Sequence, residues 1–210
     1  TARTADLPQD VAARLFFKAL RGQQSAEDAD TSRGHMLTEM ARMSLDDRLV
    51  LQIHAGSARN HSDDVMARFG RDKGYDIPTQ TDYVAALKPL LNTVRGEAGL
   101  TIIVFTLDET AFSRELAPLA GVYPALKLGP PWWFHDSAEG MRRFRETVTE
   151  TAGFYNTVGF NDDTRAFCSV PARHDVARRF DCAYLETLVA TGRLAEDEAA
   201  QVAYDLTYRL

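Results

Sequence analysis

The chain has 210 residues, 45% of them hydrophobic and 26% charged, which suits one globular domain with a sizeable core and argues against wholesale disorder. A formal net charge of −6 with both signs mixed along the chain argues against a nucleic-acid surface, and no Lys/Arg block addresses an anionic membrane. The apolar run LTIIVF is far too short to span a bilayer, and two cysteines without CxxC spacing, Cys168 and Cys182, read as reduced thiols of a cytoplasmic protein.

The opening stretch has no initiator Met and enters a helix almost at once, as a piece of something larger would. LPQDVAARLFFKALRG carries apolar residues at helical spacing, with Pro8 near its start and Gly22 as a stop. QQSAEDADTS reads as a polar connector and GHMLTEMARMSLDDR as a second helix. At residue 49 the period changes. Four short apolar runs follow: LVLQIHAGSARN, LTIIVFTLDE (100–109), PALKLGPPWWF (124–134) and NTVGFND (156–162). Helical patterns separate them: TDYVAALKPLLNTVR, ETAFSRELAPLAG and SAEGMRRFRETVTETAG. Two more helices close the chain, from about 172 to 190 and from about 195 onward. Nearly continuous apolar strands, each followed by a helix, predict parallel βα units, in an open doubly wound sheet or in part of a (β/α)8 barrel.

In both folds chemistry collects beyond the carboxyl ends of the strands. The first run delivers His54 and Arg59 there, the second Asp108 and Glu109, the third Trp132, Trp133, His135 and Asp136, and the fourth Asp162, Asp163 and Arg165. Each cluster has a plain structural explanation. Asp108 and Glu109, taken alone, read better as helix caps, and a strand-end histidine is often a hydrogen-bonded core residue. Two consecutive indoles after Gly-Pro-Pro cannot both point inward from a regular strand. One shared polar pocket explains all four clusters together. An Arg there grips a carboxylate with two parallel hydrogen bonds, and an Asp serves as general base or hard metal ligand. No Gly-rich phosphate loop, GxSxG or HExxH occurs, so dinucleotide, serine-hydrolase and zincin readings fall away.

LQIHAGSARN, LGPPWWFHDSAEGM and VGFNDDTRAFCSVPARHDVARRF together resemble successive segments of the uronate (glucuronate) isomerases, in collinear order from about residue 7 to the last residue. The resemblance implies a TIM-type (β/α)8 barrel of the metal-dependent, amidohydrolase-like superfamily. On that reading residues 1–48 are a helical segment leading into the barrel, and 49–210 its C-terminal half, strands five to eight. It implies aldose–ketose isomerisation of D-glucuronate or D-galacturonate to D-fructuronate or D-tagaturonate through an enediol. Asp163, His54 and Arg165 take catalytic roles; Arg59, Trp132, Trp133 and Asp162 bind substrate; Asp163 ligates a divalent metal, zinc. For Asp162, which stands where the family commonly has a hydroxyl or small residue, a cap on the next helix and a like-charge effect on Asp163 both remain open.

The family's first-strand HxH pair has no counterpart among the five histidines, and a whole barrel takes about 250 residues. The expected partners are therefore a hexuronate and either an N-terminal half-barrel or further copies of the chain. Two alternatives stand beside the isomerase: a metal-dependent hydrolase on the same barrel, and a catalytically inactive barrel fragment acting as a structural partner.

Overall fold

The computed structural model describes residues 3–131, 133–162 and 166–210, with the Trp133 side chain outside the description. Helices α1 (Gln9–Leu20) and α2 (Ala26–Asp47) lead into β1 (Leu51–Ala55) and β2 (Ser57–Ala58). Next come α3 (Asp63–Phe69), β3 (Ile77–Pro78), α4 (Tyr83–Thr93) and β4 (Ile102–Thr106). A short α5 (Glu109–Ala111) runs through a π-helical turn (Phe112–Leu116) into α6 (Ala117–Val122). The chain ends with β5 (Leu126–Leu128), α7 (Ala138–Ala152), α8 (Val170–Ala190) and α9 (Glu196–Tyr208). Among the described residues no helix is long and apolar enough to cross a membrane.

The fold is α/β with a parallel sheet. β1, β4 and β5 pair in chain order, Ile53 opposite Val104 and Val104 opposite Leu128. The fourth predicted run joins them as a single parallel bridge, Thr157 to Leu128. β2 and β3, which the sequence pattern does not announce, form a two-residue antiparallel ribbon beyond the end of β1.

The two faces of the sheet differ. Leu51, Ile102, Val104, Leu126 and Leu128 point into the main core, against Ala41 of α2, Leu87 and Leu91 of α4, Leu116 beside α6 and Phe144 and Val148 of α7. The alternate residues point the other way. There Ile103, Phe105 and Val158 form a small separate cluster, while Gln52 and His54 of β1 are exposed.

One expectation is corrected. From Ala26 on, the segment read as a polar connector is the first turns of α2, because Ser25 and Asp28 form a capping box: the Asp28 N–H donates to Ser25 Oγ at 3.0 Å and the Ser25 N–H to Asp28 Oδ2 at 3.1 Å. Ser-x-x-Asp before a polar helix is a start signal that apolar periodicity alone misses. Charged Lys18 on α1 also reaches Asp28 at 3.1 Å.

The segment before α1 acts as a plug. Pro89 lies inside α4 and has no N–H to give the helix ladder. In the opened turn, the Leu90 N–H donates to Thr4 Oγ1 at 3.1 Å, and the Thr4 hydroxyl donates to the Ala86 carbonyl at 2.6 Å. The Thr4 N–H donates to the same carbonyl at 2.8 Å. On the other side Gly34 of α2 lets this backbone pass, since a Cβ there would lie 2.1 Å from the Arg3 carbonyl oxygen. Replacing Thr4 by Val keeps the shape and orphans the buried Leu90 N–H, so thermal unfolding should show a loss of about 1–3 kcal/mol. In a Pro89→Ala background, where the helix can close its own bonds, the same change should cost measurably less.

Candidate active site at the carboxyl rim

Strand register sets the base of the site. Because Ile53, Val104, Leu128 and Thr157 align, His54, Phe105, Gly129 and Val158 occupy the next rung, on the face that no helix of the main core covers. The His54 and Phe105 rings meet edge to face, centroids 4.1 Å apart. Gly129 makes room for that ring: a Cβ there would stand 2.3 Å from Phe105 Cε1. Tyr83 of α4 ties the rung from behind, accepting from the Ala55 N–H at 3.2 Å and donating to the Phe105 carbonyl at 2.6 Å. Burial pushes the Tyr83 phenol far above its ordinary range, so it remains a neutral donor.

Beyond β1 the chain turns at Gly56, where a φ of +107 suits glycine and a Cβ would lie 3.0 Å from Thr81 Cγ2. Asp76, 6% exposed, then organises the loop. Its Oδ1 accepts the Asn60 N–H at 2.6 Å and its Oδ2 accepts Arg59 Nη1 at 3.2 Å. The Arg59 side chain remains 59% exposed while tethered to Asp76.

The carboxylates after β4 are structural. Asp108 accepts from the Thr110 N–H at 3.1 Å, the Thr110 hydroxyl at 2.7 Å and the Thr81 N–H at 3.2 Å. It thus caps α5 and pins the loop before α4. Burial, the largest single influence, raises its carboxyl, yet these donated bonds together outweigh it and hold the group below its usual range. Glu109 accepts from Arg143 Nε at 2.8 Å and lies 3.7 Å from His135 Nδ1. His135 in turn makes a 2.9 Å bond to the Leu107 carbonyl through Nε2.

The third and fourth strand ends meet at Arg173 of α8. Its Nε donates to Asp162 Oδ2 at 3.1 Å, its Nη2 to Asp136 Oδ2, and its guanidinium lies 5.5 Å from the Phe160 ring centre. The two carboxylate side chains are 5% and 11% exposed. Burial pushes the Asp136 carboxyl up, Arg173 opposes that, and the charge of Asp162 adds to it. So Asp162 binds Arg173 in the first turn of α8 rather than capping the helix start, where Ser169 makes no side-chain cap. Its sequence neighbours Asp163 and Arg165, and both Trp132 and the Trp133 side chain, lie outside the described residues.

The structure thus brings His54 and Arg59 to the end of β1 and Asp162 to the end of the fourth run. Sequence reasoning assigns no role to Asp76, Arg173 or Tyr83. Their signal is tertiary pairing across 17, 11 and 22 positions, which no local pattern carries.

Among the described residues one trio of possible metal donors gathers, Asp6, His35 and Glu39. It is far from the strand ends in function: Arg42 holds both Asp6 oxygens at 2.8 Å and also Glu39, and the Leu7 N–H occupies His35 Nδ1 at 3.3 Å. This is an arginine-centred latch between the leading segment and α2.

Comparison with known proteins follows the same lines. The sequence model of the glucuronate isomerase family matches residues 2–210. The uronate isomerase of Rhizobium meliloti (strain 1021) is 70% identical over all of this chain and 45% of its own length. That of Mesorhizobium japonicum is 68% identical, again over 45% of its length. The crystal structure of glucuronate isomerase from Caulobacter crescentus superposes with a TM-score of 0.95 at 63% identity, covering 100% of this chain and 44% of that one. The uronate isomerase structure from Thermotoga maritima gives 0.90 at 25% identity, covering 99% and 46%. The chain therefore spans slightly under half the length of the relatives it matches.

The Asp108 cap carries a pH signature. A folded pKa below the unfolded value near 3.8 stabilises the fold above that value, and the contribution fades as pH falls through the folded pKa. Asp108→Ala should cost about 0.5–2 kcal/mol at pH 7. In pH-resolved thermal melts the gap to the parent should narrow below about pH 4.

Proposed function

Because the chain belongs to the glucuronate isomerase family, we propose that it forms the C-terminal part of a uronate isomerase that interconverts an aldose hexuronate and its ketose. In this reading residues 49–210 are strands five to eight of an amidohydrolase-like (β/α)8 barrel and residues 1–48 a helical segment leading into it. Three features support that architecture. The strands pair in chain order with no switch point, unlike a doubly wound sheet. The main core packs against one sheet face while polar Gln52 and His54 lie on the other, as in a barrel with an inner and an outer side. Among the described residues β1 pairs with β4 alone, leaving an edge for another strand. An N-terminal half-barrel is the partner that fits, supplying the strands that close this sheet.

The observation that carries the catalytic reading is His54, set on the inner face at the carboxyl end of β1 against Phe105. From there an imidazole reaches a sugar bound at the rim and orients the hydroxyl or carbonyl at C1 and C2. Arg59, held by Asp76 and 59% exposed, grips the C6 carboxylate together with Arg165. Such anchoring holds the reacting carbons against the base. Asp163 moves the proton between C2 and C1 through the enediol, and Trp132 and Trp133 wall the sugar. The free, exposed Cys168 and Cys182 support a reducing, cytoplasmic setting.

Asp163 would be a ligand of a divalent metal such as zinc, which would supply Lewis-acid polarisation of a carbonyl. The described rim residues do not by themselves assemble that centre: His135 Nε2 is bonded to the Leu107 carbonyl, and Asp76, Asp136 and Asp162 are engaged by arginines. The steps above accordingly use this chain's own groups. Asn161 Oδ1 and Asp162 Oδ1 are buried acceptors without a hydrogen-bond partner among the described residues. Such atoms are rare in native folds, and their place beside Asp163 supports an edge completed by groups beyond the described residues.

The test is ketose formation from D-glucuronate and D-galacturonate by the complete enzyme. Asp163→Asn should lower kcat by about 10²–10⁴-fold, the usual worth of a positioned base. Arg59→Ala should act mainly by raising KM, about tenfold for each 1.4 kcal/mol of anchoring lost. Wild-type enzyme that makes no ketose from either hexuronate overturns the assignment.

A further inference from the structure

We infer that Arg173 is a positioning residue that locks the segment following the Trp132–Trp133 pair to the segment delivering Asp163. Two edges of one guanidinium serve two sequence-distant carboxylates. Nε holds Asp162 at 3.1 Å and Nη2 holds Asp136. Asp162 immediately precedes Asp163, and Asp136 follows Trp133 by three residues, across the short 3-10 turn Trp133–His135. That turn is pinned at its other side by the 2.9 Å bond from His135 Nε2 to the Leu107 carbonyl. Arg173 itself sits on a 21-residue helix and rests on the Phe160 ring, so the clamp is referred to rigid structure.

A second guanidinium shows what a purely structural counterpart looks like. Arg145 of α7 is 5% exposed, donates to Asp181 Oδ1 at 2.7 Å and to Thr157 Oγ1 at 3.1 Å, and thereby ties α7 to α8 and the fourth run. Arg145 serves one carboxylate between two helices. Arg173 serves two, each within three residues of a proposed catalytic or sugar-binding position. Removing it leaves Asp136 and Asp162 as adjacent buried like charges, which repel and part. The two segments they anchor would then separate.

This inference rests on the isomerase reading, so its test has an arm that does not use activity. In the complete enzyme labelled with 5-fluorotryptophan, the resonances of Trp132 and Trp133 are assigned by Trp132→Phe and Trp133→Phe. Arg173→Ala should shift or broaden both resonances and lower kcat/KM by about 10²-fold, the cost of a misplacement near 1 Å. Added guanidinium ion should restore part of the rate and move the resonances back. Arg173→Lys keeps the charge without the two-edged fork and should fall between. If Arg173→Ala does not fold, Arg173→Lys carries the test. Unmoved fluorine resonances, or kcat/KM within about threefold of wild type, overturn the inference while leaving the isomerase reading intact. A wild type without isomerase activity whose resonances still move with Arg173 overturns the isomerase reading and keeps the clamp.

Discussion

Parallel pairing of β1, β4 and β5 is the constraint on which the rest of the structure depends. Parallel strands all leave the sheet in one direction, so each must return by a crossover before the next can pair. Here α3 and α4, then α5 to α6, then α7 make those returns. The apolar residues of α4, α6 and α7 meet the same sheet face and build one core around Leu87, Leu91, Val104, Leu126 and Phe144. The opposite face gets no helix of that core, and the carboxyl ends open on one rim. Where the polar groups gather is a consequence of that connectivity, fixed before any of them is chosen.

The inner face shows how such a surface is graded along the strands. Ile103, Phe105 and Val158 fill its middle. On the same rung as Phe105 stand His54, against its ring, and Gly129, which gives that ring room. On the rung below Phe105's level, Lys127 turns back and donates to the Tyr155 carbonyl at 2.7 Å. Burial lowers its ammonium from the ordinary range, because a desolvated cation with a neutral partner is less favoured than one in water. The lysine therefore closes the amino side of the face with a neutral acceptor, and the carboxyl side keeps the imidazole and guanidinium groups.

Legibility in the sequence followed the range of the interaction responsible. β4 was plain in LTIIVF because five consecutive buried residues need only local apolarity, and α7 in SAEGMRRFRETVTETAG because Ser137 caps it and the apolar spacing is helical. Asp108 as a cap was equally local. The fourth run shrank to one bridge because its residues answer to distant partners: Thr157 to Arg145, and Gly159 to the α9 backbone, where a Cβ would come within 1.8 Å of the Leu206 carbonyl oxygen. α5 and α6 read as one helix, yet a π-helical turn intervenes, with the Ala117 N–H reaching back to the Phe112 carbonyl. At the site, His54 and Arg59 were legible as strand-end groups. Their supports, Phe105 and Asp76, were not, since a ring contact across two strands and a carboxylate 17 residues away leave no periodic trace.

A division of labour between apolar and charged contacts follows. Apolar burial is strong and non-directional, which suits a sheet that must hold its helices but not aim a particular atom. A guanidinium bound by carboxylates is directional, because its donors lie in a rigid planar fork. Desolvating both partners is costly, so such pairs bring little net stability and are best explained where geometry matters. Among the described residues several stand at the strand-end loops: Arg59 with Asp76 beyond β1, Arg143 with Glu109 beyond β4, and Arg173 with Asp136 and Asp162 beyond β5 and the fourth run. Segments that leave the sheet lose the ladder that orients a strand, and a fork of charge-assisted bonds supplies a replacement. The rim is thus a part of the fold whose shape is set by charge, and it is also where the proposed chemistry requires atoms to be placed rather than merely packed.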